Sequence, residues 1–326
     1  MIAMKNPKIS ILMSIYNESE LQIRESIDSM LSQTFENFEL VIISDNPQRT
    51  DIKPLLDRYN DSRIIFLQNE SNLGLAMSMN RAASIASADV YARMDADDVS
   101  VADRLEKSIK YLDTGKYDFV FSQYYCIDNE SKIIDVPLQD IVKDEEALQA
   151  ISLDPSLIHH PTVIFTKVIF EKTGGYRNFP CSQDADLWLR MCEVGCRFHM
   201  IDQPLIYYRV NPNSISSKKW FKQQLTCNYI FELSLQRLYT GKDSFSREDY
   251  ENYLNKWGLD QVYAERKLKA CYHTLDKAGM ESRNGDHIKS FILRFSVFLK
   301  SRILRRHYLK LKEKDNLLKK IKRKKI

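Results

Sequence analysis

Three aspartates in four residues, Asp95-Ala96-Asp97-Asp98, form the densest concentration of chemistry in the chain. Carboxylates this close repel one another unless a cation or hydrogen-bond donors offset their charge. Such oxygens suit Mg2+ or Mn2+, which complete their shells with phosphate oxygens of a substrate. The competing reading is a solvated acidic turn, with Asp98 opening a helix at Val101–Leu112. A second run, Gln183-Asp184-Ala185-Asp186-Leu187-Trp188-Leu189-Arg190, begins a helix whose apolar positions are Leu187, Leu189, Met191 and Val194. A helix cap explains Asp184 at about 1 kcal/mol, and Asp186 is spaced to pair with Arg190 on the helix surface. Two aspartates exceed what one cap needs. Adjacent residues of a strand point to opposite faces, so only one of His159 and His160 can face a site. His160 either lines that site or packs as a structural histidine. No glycine-rich phosphate loop follows the first apolar run, so any phosphate bound here depends on a metal for positive charge.

The elements that must hold these residues alternate in type. Periodicity predicts strands at Ile9–Ile15, Phe38–Ser44, Arg63–Gln68 and Val90–Met94, with helices at Glu20–Ser32, Asp51–Tyr59 and Leu73–Ala86 between them. The second strand is nearly continuous in apolar residues, as in a parallel sheet covered on both faces. This βα series predicts a doubly wound α/β sheet, whose ligands bind beyond the carboxyl ends of the strands. Three polar clusters fall at those ends: Tyr16-Asn17-Glu18, Ser44-Asp45-Asn46 and Asp95–Asp98. A strand is expected at Phe119–Ile127, followed by a less regular region. From about Trp220 the sequence is helical, Lys-rich and Gly-poor, which predicts two domains, 1–216 and 217–326.

The chain's net charge of +4 is unevenly spread. From Lys289 to Ile326 there are 15 Lys and Arg against Glu313 and Asp315, a net +13 that leaves −9 for the remainder. A basic segment of this kind suits an anionic partner. Phe291, Ile292, Phe295, Phe298, Leu299, Ile303 and Leu304 recur there at helical spacing, either to pack on the body or to lie on anionic lipid. The segment lacks a recognised nucleic-acid module, so no nucleic-acid partner is expected. The C-terminal helices are also a candidate surface for self-association. No leader pattern precedes Tyr16, and Arg294 interrupts the longest apolar run. Six scattered cysteines without a CxxC pair predict reduced, buried thiols. A cytoplasmic protein, peripheral on the inner face of the membrane, is expected.

Taken in order, these motifs resemble the inverting glycosyltransferases of family two over roughly residues 8–216. Ile9–Glu18 resembles that family's first strand and Tyr-Asn turn, and Phe38–Asp45 its second strand. Asn72-Leu73-Gly74-Leu75 with Asn80 resembles its NxGL…N segment. Tyr91–Asp98 followed by Asp103-Arg104-Leu105 resembles its ARMDADD…RL block. His160-Pro161, Gly174-Gly175-Tyr176 and Gln183–Arg190 resemble its acceptor half. The resemblance implies a Rossmann-like glycosyltransferase A-type fold with a mostly parallel sheet. It implies transfer of a hexosyl or N-acetylhexosaminyl group from a UDP-linked nucleotide diphosphate sugar to a lipid-linked or oligosaccharide acceptor in surface polysaccharide synthesis.

By position, the resemblance places Tyr16, Asn17, Glu18, Asp45, Asn80 and Asp95 against the donor, with Tyr16 on the base or ribose and Asp45 accepting from the uracil imide. Asp97 would hold Mn2+ or Mg2+, and Asp184 would take the acceptor proton. His160, Gln183 and Trp188 fall on the acceptor side. Gln183 stands where a glutamate is common, and Asn211 where many relatives carry a histidine. Ser44-Asp45-Asn46-Pro47 replaces an Asp-Asp-Gly-Ser. Two other classes compete. A sugar-nucleotide nucleotidyltransferase needs a glycine-rich basic loop that Tyr16–Leu21 does not offer, and an inactive scaffold with a nucleic-acid-binding tail does not explain intact Asp97 and Asp184.

Overall fold

The computed structural model describes residues 6–137, 141–210, 220–258 and 261–324. Two compact units divide the chain, Met1–Lys218 and Lys219–Ile326.

In the first unit, β-branched runs too apolar to meet water on either side become the central strands. β1 (Ile9–Ile15) and β2 (Phe38–Ser44) are buried along their whole length. Side chains alternate between faces: Leu12 joins one core layer, and Ile9, Ile11, Met13 and Ile15 join the other. α1 (Glu20–Leu31) begins at a capping box in which the Ser19 amide donates to Gln22 Oε1 (2.9 Å) and the Gln22 amide to Ser19 Oγ (3.3 Å). α2 (Ile52–Asp57), β3 (Ile64–Gln68), α3 (Leu75–Ile85) and β4 (Val90–Asp95) complete the βα series. α1 and α2 cover one face of the sheet and α3 the other.

The strand order β3-β2-β1-β4 is parallel throughout. The chain leaves β1 toward β2 on one side and returns to β4 on the other. Their carboxyl ends therefore open the crevice where a doubly wound sheet takes its ligand. Beyond β4 the sheet is mixed. β8 (Ile164–Thr166) lies antiparallel between β4 and β6 (Phe119–Ile127), and β9 (Phe198–Arg209) runs parallel to β6. The short β5 (Val99–Ser100) closes the far edge on β9, and β7 (Ile133–Asp135) pairs with β6. α4 (Arg104–Leu112) packs on the α1 face, and α5 (Asp144–Leu153), α6 (Lys167–Lys172) and α7 (Gln183–Glu193) on the α3 face.

Two sequence expectations change here. The helix after the acidic motif starts at Arg104, because β5 intervenes, so Asp98 does not cap it. The region expected to be irregular holds β7, β8 and the 12-residue β9. Asp202-Gln203-Pro204 interrupts the alternation of β9, and its register with β6 slips at that point. Of the six cysteines, Cys181, Cys192, Cys196 and Cys271 are buried, and Cys126 and Cys227 partly so.

The second unit is helical: α8 (Trp220–Thr240), α9 (Arg247–Gly258), α10 (Gln261–Arg283), α11 (His287–Lys300) and α12 (Arg302–Lys324). Phe221, Leu225 and Leu268 form its core, with Tyr253, Leu254, Trp257, Ile303 and Leu304 packed around them. α11 turns Ser290 and Val297 inward, and Ser290 Oγ donates to the Ala278 carbonyl of α10 at 2.7 Å.

Candidate active site

The acidic motif leaves the end of β4 over a bed of buried arginines. Arg93 is 2% exposed, and its guanidinium pairs with Asp95. Arg104, fully buried below it, donates to the Arg93 carbonyl at 2.8 Å. Burial and the neighbouring Arg93 charge lower the Arg104 pKa to about 9. Arg209, at the end of β9, donates from Nε to the Asp97 carbonyl (2.7 Å) and from its amide to Asp98 Oδ1 (2.8 Å). Its remaining donors reach Glu25 Oε2 of α1 (2.6 Å), the Asp128 carbonyl (2.7 Å) and Ser131 Oγ (3.0 Å). Sequence reading passed over all three arginines. The signal was a cation inside an otherwise apolar strand beside acidic residues, since a buried charge needs a partner.

The three aspartates do different things. Asp98 is fully buried and its Oδ2 has no hydrogen-bond partner among the described residues. Burial, then Asp97 and Asp95, pushes its carboxyl well above the usual range. Asp97 is only partly buried. Burial, Asp95 and Glu18, in that order, raise its pKa to about 7. The carboxyl of Glu18, which accepts from the Tyr16 amide at 2.6 Å, is likewise raised, chiefly by burial. Glu18, Asp95 and Asp97 thus form one crowded negative field. That field is what a divalent cation would relieve, so these residues fit one. Among the described residues no three His, Cys, Asp or Glu side chains converge as a ready-made ligand set. Asp97 would hold the cation together with oxygens supplied from outside the protein.

The other strand ends complete this edge. Tyr16 and Asn17 are exposed beyond β1, and their turn is tied to the loop after β2. Asn46 Nδ2 donates to Asn17 Oδ1 at 3.1 Å, and Arg49 reaches the Glu18 carbonyl at 2.9 Å while paired with Asp51. Asp45 is 3% exposed. Its Oδ1 accepts from Asn69 Nδ2 (2.7 Å) and the Leu73 amide (2.8 Å), and its Oδ2 from the Gly74 amide (2.8 Å). It therefore fixes the turn into α3, where Gly74 has φ +83°, and keeps one lone-pair direction on Oδ2 for a ligand.

The opposite wall rises from α7. Ser182 precedes this helix in a left-handed conformation (φ 57°, ψ 23°) and makes no side-chain cap. Asp184 lies in the first turn rather than at the cap, partly buried, with Oδ1 accepting from the Ala185 amide at 2.9 Å. Burial raises its pKa; the Ala185 bond and Arg93 oppose that rise, and Asp95 adds to it. Asp184 thus shares an electrostatic environment with the cradle of the acidic motif. Gln183 is buried beside it.

Several positions expected to touch ligands are occupied otherwise. Both amide atoms of Asn80 hold the backbone of Tyr176: Nδ2 donates to its carbonyl (2.8 Å), and Oδ1 accepts from its amide (2.9 Å). Asn80 therefore spends its side-chain amide on the Tyr176 backbone. Trp188 is fully buried, with Phe119, Phe165 and His160 packed on its ring, so it belongs to the core beneath the site. His160 is buried too, and its Nε2 hydrogen-bonds the Tyr176 hydroxyl at 2.8 Å. The pair opens a 3-10 turn at His160–Thr162 rather than a strand, with the partly buried His159 at its N-cap. It stacks on Tyr124 at 4.2 Å and meets Tyr208 edge-on at 4.3 Å. Its pKa falls to about 4 through burial, against a pull from Asp95, which leaves a neutral aromatic platform beside the carboxylates. Asp186 and Arg190 do pair, at 2.7 Å, but in the interior and not on the helix surface. Asn211 lies outside the described residues.

Comparison with known proteins adds four findings. The family model described as "Glycosyl transferase family 2" matches residues 10–174. An uncharacterized glycosyltransferase of Methanocaldococcus jannaschii is 32% identical over 240 residues, covering 73% of this chain and 78% of the relative. A UDP-Glc:alpha-D-GlcNAc-diphosphoundecaprenol beta-1,3-glucosyltransferase of Escherichia coli is 29% identical over 220 residues, 65% of this chain and 81% of that protein. Among solved structures, that of S. aureus TarS 1-349 in complex with UDP-GlcNAc superposes with a TM-score of 0.61 at 15% identity. It covers 97% of this chain and 92% of that one, which marks a shared fold.

Proposed function

Since the chain belongs to glycosyl transferase family 2, we propose that it moves a sugar from a UDP-linked donor to a hydroxyl of a lipid-linked or oligosaccharide acceptor, with inversion, in surface polysaccharide synthesis. The observation that supports this reading is that Asp184 of α7 feels the charges of Asp95 and Arg93 at the end of β4, two residues before Asp97. The diphosphoundecaprenol acceptor named for the E. coli relative supports a lipid-linked acceptor.

In this reaction the acceptor oxygen forms a bond to the anomeric carbon as the bond from that carbon to the diphosphate breaks on the opposite face. The acceptor proton passes to Asp184, whose basicity is raised by burial. Tyr16, Asn17 and Glu18 border the donor with Asp45 and Asp95. His159, Tyr124 and Tyr208 offer ring faces to a sugar. Mn2+ or Mg2+ held at Asp97, when bound, supplies positive charge for the departing diphosphate. The basic C-terminal helices hold the enzyme on an anionic membrane face.

A panel of UDP- and GDP-sugars, assayed for donor hydrolysis with Mn2+ and with EDTA, tests the proposal. Turnover of one UDP-sugar that stops in EDTA and returns with Mn2+ is expected. Full activity in chelator rejects the cation, and absence of turnover with every nucleotide sugar rejects the donor class.

A further inference from the structure

α11 turns most of its large apolar side chains away from the helical core. Only Ser290 and Val297 are buried, while Ile288, Phe291, Ile292, Phe295 and Leu299 form a stripe at three- and four-residue spacing that faces out. Phe291 is 67% exposed and Ile288 77%. Phe291, Phe295 and Phe298 stack in succession, with centroids 6.2 and 6.4 Å apart. The sequence stripe continues through Ile303 and Leu304, but these two pack into the helical core. The exposed part is therefore confined to α11.

The ladder runs into a cationic groove. Arg305 lies over the Phe298 ring at 6.0 Å and also lines an open groove of about 350 Å3 with Trp257, Arg302, Arg306, Leu309 and Lys310. Arg302 and Arg306 sit over the Trp257 indole at 5.5 and 5.4 Å. Glu232 holds Arg306 through two bonds of 2.8 Å. Among the described residues no carboxylate pairs with Arg302, Arg305 or Lys310. A phosphate has the charge and the acceptor oxygens that these donors lack.

We infer that this surface is a binding site for the phosphate headgroup of a membrane lipid, with the Phe291–Phe298 ladder inserted beside it. The inference rests on the membrane reading above and gives it a location. No helix among the described residues is long and apolar enough to cross a membrane, so the contact is with one leaflet. A second copy of the chain is the wrong occupant, because Arg294, Lys300, Arg302 and Arg305 around the ladder would face their own kind. Nucleic acid would use the arginines but leave Ile288, Ile292 and Leu299 in water.

Flotation of the full chain with vesicles of phosphatidylcholine, alone or with equal phosphatidylglycerol, tests this. Two charge-matched variants separate a site from general attraction: Arg302→Gln with Arg305→Gln, and Lys312→Gln with Lys320→Gln. The site predicts that the first pair loses about tenfold more affinity than the second, since delocalised attraction treats each basic residue alike. Phe291→Ser with Phe295→Ser, both exposed and so harmless to folding by circular dichroism, is expected to abolish the binding that survives high salt. Equal losses from the two charge pairs overturn the site and leave the general reading standing. No binding of the unaltered chain to anionic vesicles overturns both. Displacement from vesicles by RNA at equal phosphate overturns the lipid assignment.

Discussion

Burial makes Asp184 a stronger base, and the Ala185 amide bonded to Oδ1 works against that rise. Asn at this position keeps the shape and can still accept from that amide, but it cannot take a proton. Asp184→Asn is expected to lower the transfer rate by ~10²–10⁴ while donor affinity stays unchanged. Product formation and donor titration measure the two separately, and near-normal turnover would leave Asp184 as a helix-start residue only. At the same scale, Trp188 and His160 show why motif position and chemical role can part. Trp188 follows the aspartates along α7 but lies on the inward helix face, and His160 is buried against the Tyr176 hydroxyl in a 3-10 turn that replaces the expected strand.

Among the elements, β9 matters more than its sequence suggests. Its last residue, Arg209, is 1% exposed and joins α1, the acidic motif and the β6–β7 turn through five bonds. Truncation leaves the partly exposed Glu25 and two part-buried carbonyls without that donor, so Arg209→Ala is expected to cost about 2–3 kcal/mol. Arg209→Lys should rescue little, because one ammonium cannot span those acceptors. Thermal unfolding of both variants checks this; a loss under ~1 kcal/mol for the alanine variant rejects it. β1, β2 and β6 were legible to the residue because two-sided burial writes itself as continuous β-branched and aromatic runs. β5, β7 and β8 are two or three residues long, too short to carry a period, and Pro204 hides β9. The carboxylates of the site were readable from their crowding. The arginines that make the crowding tolerable were not, because their partners arrive from distant strands.

For the molecule as a whole, the acidic crevice links stability to pH and to cations. The Asp97 pKa is about 7 in the folded chain against about 4 for an ordinary aspartate. A carboxyl raised on folding stabilises while protonated. Its contribution is complete below about pH 4 and is lost as the pH rises through about 7. Glu18, Asp98 and Asp184 shift in the same direction. Lowered carboxyls such as Asp118 and Asp144 act with the opposite sign, at pH values below that window. In chelator, the melting temperature should therefore fall from pH 4 to 7, and Mn2+ should restore it at neutral pH by binding the ionised form. Melts of the unaltered chain beside Asp97→Asn test the assignment. A pH profile of the same steepness in both would detach it from Asp97.

The Asn80–Tyr176 clasp has a consequence for recombination. It is a seam: α3 belongs to the half that follows β1 to β4, and Tyr176 belongs to the half that carries α7. A Cβ at Gly175, whose φ is +69°, would meet Asn80 Oδ1 at 2.7 Å, so the seam closes only on a glycine. Chimeras that exchange everything after Gly174 between two such chains would inherit a working joint only when both parents keep an amide at position 80 and glycine at 175. Shuffled libraries should show survivors sorted by that pair rather than by overall identity.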